Sequence, residues 1–186
     1  MKKFLLKVWG VILSPATAWE KIFSDKLENE KQLLQYALTL ILCCVAVTFV
    51  SELFAKGNFR FVHALVRAIV TGIVYTGTLW SVFYLLTIGL KKRLGFIPDK
   101  TICLQLIVYS TALIFFVEIV TTLVPPLFFL KVLNVYTVYI IWEGVGVCFN
   151  FEEKHRGNIT MLLSAGVLLL PYAIEKILLF ILPIAR

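Results

Sequence analysis

A chain of 186 residues that is 60% hydrophobic and only 16% charged, with a mean hydropathy of +0.93, lies outside the soluble range. Water is excluded as its solvent, because one soluble domain of this length would have to hide nearly all of that surface, whereas a bilayer accepts it in runs of about 20 apolar residues. The formal charge of +7 would suggest a nucleic-acid partner for a soluble protein; here no nucleic acid is expected, and Lys and Arg serve as topology markers.

The opening residues, MKKFLLKVWGVIL followed by Ala16-Thr17-Ala18, imitate a signal peptide with its cleavage site. Lys7 and Gly10 interrupt the apolar stretch, and Phe4, Leu5, Val8 and Ile12 set against Lys3 and Lys7 predict instead an amphipathic helix lying on the membrane. Ser14 and Pro15 read as N-cap and first residue of a second short helix with Trp19 and Ile22 on one face. Residues 1–32 are thus expected to anchor on the inner leaflet, their lysines drawn to anionic lipid by about 1 kcal/mol each.

Five continuous apolar runs follow, over residues 33–54, 64–90, 102–124, 127–149 and 159–183. Barrel strands are about 10 residues long and alternate apolar with polar, so continuous runs predict helices. Pro125 and Pro126 force a tight connection that makes a hairpin of the third and fourth runs. Pro171 should kink the fifth. Ala68, Gly72 and Thr76 form a small-residue stripe that lets another helix approach, within the bundle or in a homo-oligomer. The expected fold is all-α: residues 1–186 form a single membrane domain, a bundle of five transmembrane helices with a short N-terminal amphipathic segment.

Short loops allow orientation to be read from basic residues. Lys2, Lys3, Lys7, Lys21, Lys26, Lys31, Lys91, Lys92, Arg93, Lys100, Lys154 and Arg156 fall on one side, and only Lys56, Arg60, Lys131 and Arg186 on the other. The N-terminus is therefore expected in the cytoplasm and the C-terminus outside.

Two segments carry a family resemblance. LSPATAWEKIF, with Pro15 and Trp19 just before the first run, and YTVYIIWEGVGVCFNFEEKHRGN, with Tyr136, Tyr139 and Gly144 ahead of a short polar loop, resemble bacterial members of the Yip family of Ypt/Rab-interacting membrane proteins. The resemblance implies five helices and a cytosolic N-terminus, and for eukaryotic relatives scaffolding or Rab-linked trafficking. The short N-terminal segment points to a bacterial member, for which the family supplies a fold and no established activity. As helix residues three apart, Tyr136 and Tyr139 also read as ordinary packing partners.

Charges inside the runs are the sharpest chemical feature, since each costs at least about 2.5–3.5 kcal/mol at the bilayer centre. Glu52, Arg67, Glu118, Glu175 and Lys176 fall in the outer half, and Glu143 alone in the inner half. Glu118, Glu175 and Lys176 with Arg67 are the candidate polar cluster, open outward to a headgroup, proton or ion. The alternative is a structural pair of Glu118 with Lys176, with Glu52 and Arg67 snorkelling to the interface.

Cys43, Cys44, Cys103 and Cys148 lack metal spacing and read as packing residues. His63 and His155 lie in loops at opposite faces, and no phosphate loop or nucleophile elbow appears. No metal, cofactor or catalytic residue is expected. The sequence favours a non-enzymatic scaffold or interaction protein using its cytosolic face (residues 1–32, 91–101 and 150–158) toward lipid or a protein partner. A small transporter or channel built on the outer cluster is the alternative.

Overall fold

The computed structural model describes residues 2–24, 29–53, 59–94, 99–149 and 153–181. The expected run ends Phe54 and Pro183, the loop residues Lys26, Lys56 and Glu152, and Arg186 lie outside them. Among the described residues the chain is helical throughout: α1 (Lys2–Leu13), α2 (Pro15–Ser24), α3 (Glu30–Leu53), α4 (Phe61–Leu94), α5 (Lys100–Leu123), a 3-10 helix (Pro125–Val135), α6 (Tyr136–Phe149) and α7 (Glu153–Ile181). Five stretches are long and apolar enough to cross a membrane: α3, α4, α5, the 3-10 helix with α6, and α7.

The spans alternate in direction. Ser51 near the end of α3 donates to the carbonyl of Thr122 near the end of α5, while Arg156 at the start of α7 reaches Trp142 and Glu143 in the second half of α6. One end of the bundle, termed here the basic end, therefore gathers the starts of α3, α5 and α7 and the finishes of α4 and α6. The other is the far end.

α5 occupies the centre and is buried along most of its length, including Leu106, Tyr109 and Ala112. The other spans leave broad apolar faces outward, as at Leu42, Ile69, Leu169 and Phe180, which a bilayer covers without cost. Gly72 of the small-residue stripe faces Val45 of α3, placing that stripe inside the bundle.

Two local features depart from the sequence reading. α1, expected to lie on the membrane surface, runs alongside α5: Phe4 packs on Tyr36 and Tyr109, and Trp9 on Phe116. From Lys100 to Phe116 the α5 axis rises roughly 24 Å, so α1 climbs well into the bundle. Phe4, Val8 and Val11 are its buried face, and Leu6, Trp9 and Leu13 are exposed. The chain then turns at Ser14, whose carbonyl accepts the Ala18 amide, and α2 descends. α1 and α2 form a helical hairpin. A long apolar face prefers protein and lipid tails to the headgroup layer, which explains the difference.

The fourth span is not one α-helix. The consecutive prolines start a 3-10 helix with the Leu127 amide bonded to the Val124 carbonyl, and α-geometry begins only at Tyr136. Pro125 and Pro126 supply no amide to begin an α ladder, and the tighter pattern fills in after them. No residue of this 3-10 helix is buried, and it lies against α5. In the fifth span, α7 continues through Pro171 to Ile181.

Candidate functional site

Two constructions stand out, one toward each end of the bundle. Toward the basic end, Trp19 of α2 is fully buried among α5 and α6. Its indole N–H donates to the Ile140 carbonyl at 3.0 Å, which satisfies a donor that would be costly to bury alone. The ring meets Tyr109 edge-on and stacks with Phe23. A Cβ at Gly144 would lie 2.9 Å from the indole and 2.5 Å from a Leu106 methyl, so only glycine admits the ring.

One turn on, Arg156 of α7 folds over α6. Its Nε donates to the Trp142 carbonyl at 3.0 Å, its Nη2 reaches Glu143 Oε2 at 3.4 Å, and its guanidinium lies 4.4 Å from the centre of the Trp142 ring. A Cβ at Gly146 would sit 2.5 Å from the Arg156 Cζ. The GVG tripeptide thus serves two neighbours, Gly144 admitting Trp19 and Gly146 admitting Arg156. Glu143, the lone inner-half charge, is paired by a residue that the loop reading treated only as a topology marker.

Toward the far end lies a cavity of about 430 Å³ between α3, α4, α5, the 3-10 helix and α7. Arg67 bridges two carboxylates, with Nε 3.6 Å from Glu52 and Nη1 3.3 Å from Glu175. The second oxygen of Glu52 lies 3.4 Å from His63 Nδ1, and Glu118 pairs with Lys131 at 3.2 Å. Among the described residues three carboxylates face two fixed cations, Arg67 and Lys131, an excess of one carboxylate. Tyr75, Tyr172 and Asn134 complete the polar wall.

The structure therefore brings Glu118, Glu175 and Arg67 to one cavity and leaves Lys176 out. Lys176 is exposed and has no ion pair among the described residues. It follows Glu175 by one residue and so points about 100° round the helix. The cation opposite Glu118 is Lys131, which the basic-residue count placed at the outer surface. The 3-10 repeat of three stacks Lys131 above Asn134 and turns both inward. Pro171 also lines this cavity beside Val167, whose carbonyl loses its usual helical donor to the proline.

Of the positions behind the family resemblance, Trp19 and Gly144 meet at the α2–α6 junction, Pro15 is buried at the start of α2, and Tyr136 and Tyr139 pack on each other, partly exposed, with ring centres 5.6 Å apart. Cys44 and Cys103 are buried, and Cys43 is exposed. Among the described residues no three metal-ligating side chains cluster.

Apolar helices packed around a buried central one, with charges paired in the interior, define a polytopic α-helical membrane protein. The Yip1 domain family model matches residues 9–174, and the chain belongs to that family. The matched residues include both sides of the Trp19 junction. Comparison with curated proteins and with solved structures finds no match.

Proposed function

We propose that this Yip1 domain protein is a non-enzymatic membrane scaffold that meets lipid or protein partners through its basic end, and that this end faces the cytoplasm of a bacterial cell. The observation that carries the reading is the Trp19 junction. It fastens the α1–α2 hairpin to α5 and α6, so that α1 and α2 are part of a built surface with α6 beside it. The distribution of basic residues supports the cytoplasmic orientation. Glu20 and Lys21 are exposed on α2, and Lys31 at the start of α3.

Photo-crosslinking side chains placed at positions 20, 21 and 31 in cells test this. Discrete adducts that vanish on Trp19→Ala, in protein that still accumulates in the membrane, are the expected result. Adducts only from far-end positions such as Phe59 and Val62 would contradict it.

A second reading is favoured by the far-end cavity, whose excess carboxylate suits a small transporter or channel for a cation or proton. Glu118→Gln and Glu175→Gln would then abolish flux in proteoliposomes without loss of folded protein. A scaffold predicts no flux to abolish.

A further inference from the structure

A second cavity, distinct from the polar one, opens at the basic end. α4 and α5 both pack on α3 but touch each other far less, leaving a groove of about 280 Å³ between the three. Its walls are almost wholly apolar, with Leu34, Leu38 and Ile41 from α3, Trp80 from α4, and Leu104 and Val108 from α5. Leu34, Leu38 and Trp80 are exposed, so the groove is open along its side to the bilayer. From Glu30 to Ile41 it runs roughly 16 Å along α3, close to the depth of one leaflet, about half of a 30 Å hydrocarbon core.

Charge appears only at the mouth. Glu30 is the first residue of α3 and Lys100 the first of α5, and both line the groove. Both are exposed, and neither takes part in an ion pair among the described residues. Lys100 stands at a helix N-terminus, where the helix dipole disfavours a cation. The neighbouring Asp99 has one carboxylate oxygen committed to the Thr101 amide at 2.9 Å. An ammonium and a carboxylate, each without an ion pair among the described residues, therefore share one interfacial mouth above a leaflet-deep apolar slot.

We infer that this groove holds one acyl chain of a phosphatidylethanolamine lipid, with the phosphodiester on Lys100 and the primary ammonium on Glu30. Charge complementarity selects the headgroup. A phosphatidylglycerol would satisfy Lys100 but bring no cation to Glu30. A phosphatidylcholine brings a quaternary ammonium that has no N–H to donate to the carboxylate. This site is independent of the scaffold reading, because it requires no protein partner and no particular orientation.

The full chain, purified in mild detergent with an equimolar mixture of phosphatidylethanolamine, phosphatidylglycerol and phosphatidylcholine, tests the assignment by native mass spectrometry. One phosphatidylethanolamine should be retained per protomer. Glu30→Gln and Lys100→Gln, both exposed and at helix starts, should each weaken retention about tenfold, as loss of a hydrogen bond to a charged group does. They should also erase the preference among headgroups. Thr76→Leu, at the groove's inner end, should reduce retention of all three lipids, while Lys176→Gln, an exposed charge outside the groove, should change nothing. Equal retention of the three lipids by the unaltered chain, or a preference indifferent to Glu30→Gln and Lys100→Gln, would show annular lipid only and overturn the inference. So would a dimer that excludes lipid, which would assign the groove to a second copy.

Discussion

The Trp19 indole donates to the main-chain carbonyl of Ile140, 121 positions further along the chain, and its ring fills the space that a Cβ at position 144 would need. An anchor aromatic and a missing side chain are thus two halves of one joint. Gly144→Ala should destabilise the protein by about 1–3 kcal/mol, since the added methyl meets a rigid ring. Trp19→Ala should cost about 3–5 kcal/mol. Thermal unfolding in detergent checks both, and the double variant should lose clearly less than the sum, because the two changes relieve each other.

Arg156 and Glu143 should behave as a coupled pair. Arg156→Ala strands a half-buried carboxylate and should cost on the order of 1–3 kcal/mol. Adding Glu143→Ala to it should recover part of the loss. Arg156→Lys should rescue poorly, because an ammonium cannot hold the Trp142 carbonyl, the carboxylate and the indole face together. Unfolding midpoints of these three variants and of Glu143→Ala alone test the coupling.

In the far-end cavity, Lys131→Met should destabilise more than Lys176→Met, because only the former leaves Glu118 unpaired. Lys176→Met should fall within about 0.5 kcal/mol of the unaltered protein. A larger loss from Lys176→Met than from Lys131→Met would mean that Glu118 pairs as the sequence alone suggested.

Gln105 is fully buried on α5, and neither atom of its amide has a hydrogen-bond partner among the described residues. Gln105→Leu has similar volume and removes an unmet polar group, so it should stabilise the protein, by about 1–3 kcal/mol. A lower unfolding temperature for this variant would reveal a function-related partner for the amide.

The helical fold and its spans were legible because twenty-residue apolar runs admit few structures in a bilayer, and the hairpin of the third and fourth spans because prolines leave little choice. The 3-10 helix was not legible: its residues are apolar in the manner of any span, and the choice between hydrogen-bond patterns depends on packing against α5. For the same reason Lys131 could not be placed on the inward face. Depth along each span located Glu118 and Glu175 in the same layer, with Arg67 further out in the same half, but depth says nothing of rotation, and rotation is what separates Glu175 from Lys176. The Phe4–Val8 repeat showed that α1 buries a face, with nothing in the local pattern to say whether lipid or α5 covers it. Trp19 and Gly144 were legible as motif positions and not as neighbours, since no local signal reports a contact across most of the chain.

The docked α1–α2 hairpin is tested most directly by the Trp9–Phe116 contact, where the ring centres lie 6.1 Å apart. With the four native cysteines replaced by alanine, the double variant Trp9→Cys and Phe116→Cys should be joined by a short bis-maleimide in intact membranes. The thiol introduced at position 9 should also resist a membrane-impermeant maleimide. No crosslink between the two positions, with ready labelling of position 9 by the impermeant reagent, would place α1 on the membrane surface and contradict the docked hairpin.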